Sequence, residues 1–330
     1  MKLKVNLFFR KSEAGFYSIE TVFKTIEPFL NQTVDVNNLD VPESSFNYKA
    51  VKANLRFALS NRADINHITG HVNYIALATG KNSVLTIHDM ISALQGNPIK
   101  RFLVLCFWFW LPALCVKRIT VISEYTKSEV FRYIPFAKSK VVLIHNPIGN
   151  NYCYHPKQFN TEEPHILCVG TKANKNLDRI FKALELIKCK LTIIGKLKKS
   201  QKAQLQKLQI EYHSLTDLSD DEVLKAYIDS DILVFASLYE GFGLPIIEAQ
   251  AVGRPVLTSN IGAMKEISKD TTCLVDPLDY KAIQIGLEKI INDQPYRLDL
   301  VKKGLENSER FRAETVAKAY IKVYEDIVKR

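Results

Sequence analysis

The 330-residue chain has no CxxC pair among its six cysteines (Cys106, Cys115, Cys153, Cys168, Cys189 and Cys273). They are scattered, several of them in apolar strand or helix patterns, which argues against a disulfide framework and a structural zinc site and fits a reducing compartment. The chain also lacks an apolar run of the ~20 residues that cross a bilayer as a helix. The stretch FLVLCFWFWLPALCV, Phe102 to Val116, is shorter and is interrupted by Pro112. The start, MKLKVNLFFRK, alternates like a first strand and has neither the apolar region nor the small-residue cleavage site of a signal peptide. No nucleic-acid module and no aromatic–basic RNA motif is present, so nucleic acid is not an expected partner. The two halves show no sequence repeat.

What is present is globular. With 47% hydrophobic and 24% charged residues, the chain has apolar material for two cores, and its length suits roughly two domains. The net charge of +10 is uneven: residues 1–145 hold 18 Lys+Arg against 10 Asp+Glu, and residues 146–330 hold 27 against 25. A basic half serves solubility, or else meets an acidic ligand or an anionic membrane surface.

Strand-like and helix-like segments alternate along the whole chain, the pattern of parallel sheets wrapped by helices. Strands are expected near 2–9, 34–36, 64–69, 84–88, 119–123 and 140–144, then near 165–169, 190–194, 210–214, 231–236, 255–258 and 272–275. The clearest helices are 176–187 and 279–292. HNPIGNNYCYHP (145–156) breaks the alternation and reads as a linker. Residues 312–329 predict an amphipathic helix with Val316, Ala319, Tyr320, Val323, Tyr324 and Ile327 on one face. For Phe102–Val116, bracketed by Lys100, Arg101, Lys117 and Arg118, the first reading is a buried or partly surface-exposed helix and the second a membrane-surface anchor. The Trp108–Phe109–Trp110 cluster keeps the second reading open, since such rings prefer the interface.

The most informative segment is DILVFASLYEGFGLPIIEAQAVGRPVLTSNIGAMKEI, Asp231 to Ile267. A β-branched apolar run reads as a buried strand. A loop with Glu240, Gly241 and Gly243 follows, and Pro245 opens a helix whose first turn holds Glu248. Strand, glycine loop and helix start make an anion cradle. Two carboxylates flank it, and carboxylates accept bonds from sugar hydroxyls. A phosphate bearing a polyol, such as a nucleotide sugar, is the matching ligand.

The residues Glu240–Glu248 (EGFGLPIIE) form a Glu-x7-Glu motif, followed by EAQAVGRPVLTSN, KEI and LVDP and preceded by CVGTKANKNLDRI and LSDDEVLKAYIDSDILV. In that order they resemble the retaining GT-B glycosyltransferases of glycosyltransferase family 4 (glycosyl transferases group 1), over essentially the whole second half. TIHDM (86–90), VISEYTKSEV (121–130) and HNPIG resemble first-half segments of the same family more loosely.

The resemblance implies an α/β, GT-B fold: two Rossmann-like doubly wound parallel-sheet domains facing across a cleft. The domains expected are 1–147 for the acceptor and 148–311 for the nucleotide sugar, with helix 312–330 crossing back to the first. It implies that Glu248 binds the ribose hydroxyls, that Glu240 faces the donor sugar, and that Gly241, Phe242, Gly243 and Leu244 offer backbone amides to sugar and diphosphate. Gly170, Thr171 and Lys172 line the donor loop. Lys175 neutralises the diphosphate leaving group, and His88, beside Asp89, lines the sugar pocket. Each has a plainer role: a dipole-complementing acid for Glu248, a solvated turn for Glu240, an exposed loop lysine for Lys175, a structural histidine for His88.

Two departures stand out. Many members place an arginine in the loop where this chain has Thr171, Lys172 and Asn174; either Lys172 substitutes or the diphosphate has fewer cations. The glycine-rich loop after the first strand has only Gly15, which with Ser123 ranks lowest among the acceptor or phosphate contacts; Ser123 and Thr126 also read as a helix cap.

The function expected is retaining, metal-independent transfer of a sugar from a nucleotide-diphosphate sugar to a hydroxyl of a glycan or lipid-linked acceptor, in bacterial capsule, O-antigen or exopolysaccharide synthesis. No cofactor is expected beyond the donor. The location expected is cytoplasmic, with peripheral contact on the anionic inner face of the plasma membrane as a further expectation. The alternatives are a catalytically idle nucleotide-sugar-binding scaffold and a GT-B-fold epimerase or phosphorylase.

Overall fold

The structure is a computed structural model and describes residues 2–11, 18–94 and 96–329. Gly15 lies outside the described residues. Backbone contacts divide the chain into two compact units, Met1–Pro147 with Ala313–Arg330, and Ile148–Arg312.

The first unit is built on β1 (Lys4–Phe9), β2 (Asp35–Asp40), β3 (Ile65–Ile68), β4 (Ser83–Ile87), β5 (Arg118–Val121) and β6 (Val141–Leu143). They pair in the order β2-β1-β3-β4-β5-β6, every pair parallel. A parallel sheet is covered on both faces; β3 and β4 are buried at every position, including polar Asn66, His67, Ser83 and Thr86. The edge strand β2, DVNNLD, is mostly exposed, as an edge that must resist further pairing should be. Strand order reverses between β1 and β3, the switch point where such sheets bind ligands.

The helix Ala313–Val328 belongs to this unit and buries Val316, Tyr320, Val323, Tyr324 and Ile327. Its Tyr324 hydroxyl lies 2.7 Å from His67 Nδ1, and His67 Nε2 lies 2.7 Å from Thr86 Oγ1. Burial lowers the His67 pKa to about 3, so the ring is neutral and serves the core.

The apolar segment forms one helical run, Pro98–Cys115, with a π turn at Leu105–Trp110 between two α segments. Pro112 does not interrupt it, contrary to expectation. Its missing N–H leaves the Trp108 carbonyl without the usual donor, and Asn73 Nδ2 donates to that carbonyl at 3.0 Å. Lys140 Nζ caps the far end, donating to the carbonyls of Ala113, Leu114 and Val116. Phe109, Pro112 and Ala113 are buried on the core side. The indole N–H groups of Trp108 and Trp110 donate to the carbonyls of His71 and Tyr133. Phe109 is buried and the half-buried Trp108 and Trp110 are hydrogen-bonded to the fold, so these three rings pack on the unit.

The second unit contains β7 (His165–Val169), β8 (Lys190–Ile194), β9 (Tyr212–Leu215), β10 (Ile232–Phe235), β11 (Val256–Ser259) and β12 (Cys273–Val275). The order is β12-β11-β10-β7-β8-β9, again parallel. It is the 3-2-1-4-5-6 dinucleotide-fold order, with its switch point between β7 and β10. β9 starts two residues later than its apolar pattern predicts. Gln209 takes a left-handed conformation (φ 54°) and Ile210 N bonds back to Leu205 O, so these residues still belong to the end of the preceding helix. Buried Arg254 donates to the carbonyls of His155, Tyr227, Ile228, Val252 and Gly253, fixing two helix ends behind the switch point.

Candidate active site

At the switch point of the second unit, β7 ends and Gly170 turns with φ +90°. A Cβ at Gly170 would lie 2.7 Å from Lys175 Cε. Glycine thus lets the Lys175 side chain cross the strand end. Lys175 closes the single 3-10 turn Ala173–Lys175, and Asn176 follows in the left-handed region (φ 59°). Asn176 Nδ2 donates to the Ala236 carbonyl (3.0 Å) and the Pro277 carbonyl (2.7 Å), tying the turn to the end of β10 and to the segment after β12.

Lys175 Nζ stands 2.7 Å from Glu240 Oε1 and 4.4 Å from the centre of the Phe235 ring. Asn174 Nδ2 donates to the same Glu240 oxygen (3.1 Å) and to the Tyr239 carbonyl (2.9 Å), while Leu238 N donates to Asn174 O (2.7 Å). Both charged side chains are 16% exposed. Their attraction is therefore less screened than that of a surface pair, and they still reach solvent. Of the two candidate lysines, the structure joins Lys175 to the motif carboxylate. Lys172 is exposed at the start of the turn. Thr171 packs against Gly195, and its carbonyl accepts from Gln201 Nε2 at 3.4 Å.

The helix after the loop spans Leu244–Ala251, with Gly243 as its N-cap (φ +113°) and Pro245 in second place. Glu248 is its fifth residue. It sits in the second turn, not in the first as the position of Pro245 predicts, because Leu244 already has helical geometry. A role as a first-turn acid complementing the dipole falls away with that placement. Instead, Glu248 Oε2 accepts a 2.6 Å hydrogen bond from the Tyr227 hydroxyl. Burial raises the Glu248 pKa to about 7, reinforced by Asp220 and opposed by the Tyr227 hydrogen bond and Lys175. Phe242 is buried against Phe311, ring centres 5.6 Å apart, so its side chain anchors the loop. Gly241 and Leu244 are partly exposed.

In the first unit, His88 follows β4 and its Nε2 lies 2.7 Å from the Thr69 carbonyl. The ring must donate from that nitrogen, leaving Nδ1 with the lone pair. Burial lowers its pKa to about 4 despite that hydrogen bond. A Cβ at Gly70 (φ +132°) would lie 2.8 Å from His88 Cδ2, so this glycine makes the space for the ring. Asp89 Oδ1 accepts from Ile91 N and fixes the local turn. Ser123 is fully buried as the N-cap of helix Glu124–Tyr133, its Oγ accepting from Thr126 N; this geometry gives it a capping role rather than a place in a site. A separate cavity of about 220 Å³ opens beyond the ends of β1, β2 and β3, lined among others by Arg10, Lys11, Glu43, Phe46, Tyr74 and Trp108. The Phe46 and Trp108 rings there are 4.3 Å apart.

Four residues without an expected role serve the site: Asn174 and Asn176, which orient the lysine turn, Phe235 beneath the ammonium, and Tyr227 on Glu248. Two short amides flanking Lys175 were the one available signal. Tyr227 and Phe235 look like ordinary apolar positions. Among the described residues, no group of three or more His, Cys, Asp or Glu side chains is placed to hold a metal ion.

The model of the family "Glycosyl transferases group 1" matches residues 155–307, and that of "Glycosyltransferase Family 4" matches residues 14–149. The O-antigen chain mannosyltransferase B of Escherichia coli is 24% identical over 231 residues, covering 63% of this chain and 60% of that one. The chain spans only 27% of the length of a second E. coli relative, a serotype-specific mannosyltransferase. Among solved structures, sucrose-phosphate synthase from Thermosynechococcus elongatus superposes with a TM-score of 0.81 at 16% identity, covering 99% of this chain and 100% of that one. HepE from Anabaena, solved with UDP and glucose, gives 0.78 at 15% identity, covering 98% and 100%. At such identities the likeness is one of fold.

Proposed function

We propose that this chain, which belongs to the glycosyltransferases of group 1 and family 4 and has their two-domain GT-B fold, moves a sugar from a nucleotide-diphosphate donor to a hydroxyl of a glycan or lipid-linked acceptor, with retention of configuration. The observation that carries the reading is the Lys175–Glu240 pair at 2.7 Å, set at a switch point beside a glycine-capped helix start, with Glu248 eight residues on. A relative that is an O-antigen mannosyltransferase supports a place in surface polysaccharide synthesis and makes mannose the first sugar to test.

In this reading the helix start at Gly243 and Leu244 receives the diphosphate, and Glu248, once ionised, accepts from both ribose hydroxyls. Glu240 accepts from hydroxyls of the donor sugar. As the glycosidic C–O bond breaks, charge grows on the leaving phosphate. Lys175, already desolvated and aimed across the strand end, stabilises that charge with little reorganisation. Lys172, at the solvent edge of the same loop, is the second cation. The acceptor hydroxyl loses its proton to the departing diphosphate in a front-face displacement, with no metal ion required. The cavity of the first unit supports an acceptor role there: aromatic faces and a carboxylate suit a sugar, and exposed Lys11 suits an anionic group, while Arg10 is paired with Glu20.

A thermal-shift panel of UDP-, GDP- and ADP-sugars tests the donor half, since a ligand bound to the native state raises the melting temperature by mass action. One donor class should stabilise the wild type, and Glu248→Ala should abolish that shift. No shift with any donor, or an undiminished shift in Glu248→Ala, sinks the assignment. Turnover unaffected by EDTA is expected if no metal takes part.

A further inference from the structure

The helical run Pro98–Cys115 carries a face that the fold does not cover. Ile99, Phe102, Leu103, Phe107, Leu111 and Leu114 are 73%, 56%, 48%, 49%, 37% and 61% exposed. Four of them, Ile99, Leu103, Phe107 and Leu111, recur every four residues. In a helix of 3.6 residues per turn such a repeat drifts by about 40° per step. The wider i→i+5 turn at Leu105–Trp110 takes up that drift and keeps the stripe on one side. Phe109, Pro112 and Ala113 face the core, so the exposed stripe is the outer face of a docked helix. The run is long and apolar enough to cross a membrane by composition. Its core-side packing and the start of β5 at Arg118 directly after it make a lying helix the consistent geometry.

Charge decides what covers the stripe. Between Asp89 and Glu124 the sequence contains no acidic residue, while Lys100 and Arg101 lie in the first turn of the helix and Lys117 and Arg118 just past its end. Lys117 is bound to the Ile327 carbonyl, but Lys100 is exposed. The neighbouring turn Pro135–Lys140, tied to the helix through Lys140 and through the Trp110 bond to Tyr133, adds exposed Phe136 and Lys138. An unbroken apolar stripe rimmed by one sign of charge matches acyl chains beneath anionic headgroups.

We propose that this face rests in the interfacial layer of an anionic bilayer, with Ile99, Phe102, Leu103, Phe107, Leu111 and Leu114 inserted and Lys100 and Lys138 at headgroup level. The inference goes beyond the glycosyl-transfer reading and needs neither donor nor turnover. Trp108 lies on this helix and also lines the cavity of the first unit, so an acceptor taken there would be drawn from the lipid surface.

The test is flotation of the full chain with vesicles of phosphatidylcholine alone and of phosphatidylcholine with phosphatidylglycerol, with donor-induced thermal shift measured on the same samples. Binding to the anionic vesicles is expected, with about a tenfold or greater fall in partitioning for Phe102→Ser/Phe107→Ser. Lys100→Glu/Lys138→Glu should weaken binding to anionic vesicles and spare the thermal shift. Two results overturn the proposal: partitioning unchanged in the Phe double variant, or no vesicle binding while sedimentation shows a dimer that the same variant dissolves. The second outcome assigns the stripe to another copy of the chain. Retained donor shift with lost vesicle binding, or the reverse, separates this inference from the donor reading.

Discussion

The two units build their candidate residues by the same device and charge them in opposite ways. In each, a glycine with positive φ just past a sheet strand vacates the space that a candidate side chain fills: Gly170 for Lys175, Gly70 for His88. In the second unit that side chain is an ammonium paired with a carboxylate; in the first it is a ring kept neutral by burial. Parallel sheets with different strand orders thus arrive at one local solution. The chemistry at the strand end is set by which residue the glycine admits, not by the sheet.

Acid should separate the units most strongly. His67 and His88 have folded-state pKa values lowered to about 3 and about 4 from 6.5. The unfolded chain therefore takes up protons first, and stability present above pH 6.5 is lost as pH falls toward those values. At pH 5 each histidine costs the first unit about 2 kcal/mol. In the second unit His165 shifts the same way, through burial, but Glu248 opposes it. Hydrogen exchange at pH 7.5 and pH 5 should show protection lost first in β3 and β4. Equal loss in β7 and β10 would break the comparison.

Lys175→Ala should lower kcat by roughly 10²–10³, as expected for removing a preorganised partner of developing charge. Donor affinity should change much less, and Lys175→Arg should recover part of the rate. An equal fall in donor affinity with kcat intact would make Lys175 a binding residue only.

Exchanging the glycines asks whether the shared device matters equally. Gly170→Ala meets a flexible lysine stem, which can move; Gly70→Ala meets a ring held by Thr69. Both positions have positive φ, so each variant should lose about 1 kcal/mol of stability or more. Gly170→Ala should lower kcat more than the melting temperature suggests, and Gly70→Ala the reverse. Parallel effects in both would remove the distinction between a mobile and a fixed occupant.

How much of this was legible depended on the same contrast. Most strands were readable because buried parallel strands are largely apolar runs, whereas the exposed edge strand β2, DVNNLD, was anticipated only at its start; Glu240, Gly243 and Glu248 stood out because charge and glycine at fixed spacing are unusual beside such a run. Tyr227 and Arg254 were not, since their work depends on which helix ends come together in space. Pro112 misled because the donor that replaces its N–H comes from Asn73, thirty-nine residues earlier in the chain. Which rings of the Trp108–Trp110 cluster face the core was not legible, because the π turn at Leu105–Trp110 sets their directions and a straight α-helix does not anticipate it.

The smallest effect falls on Glu248 and tests whether its burial serves the donor. With a pKa near 7 against 4.5 unfolded, the folded state holds a proton that the unfolded state releases between those values. Stability contributed by Glu248 therefore falls as pH rises from 4.5 toward 7, opposite in sign to the histidines. Ribose hydroxyls need the ionised carboxylate as acceptor. Donor affinity should thus rise as pH rises through 7, by about tenfold at most per pH unit below it. Glu248→Gln keeps the shape, removes the titration and should gain on the order of 1 kcal/mol of stability at pH 8 while losing donor affinity. Calorimetric titration of the donor at pH 6 and pH 8, run on wild type and Glu248→Gln, reads both arms. A wild-type affinity that does not vary with pH would mean that the carboxylate is ionised throughout, and that the Tyr227 hydrogen bond and Lys175 outweigh burial.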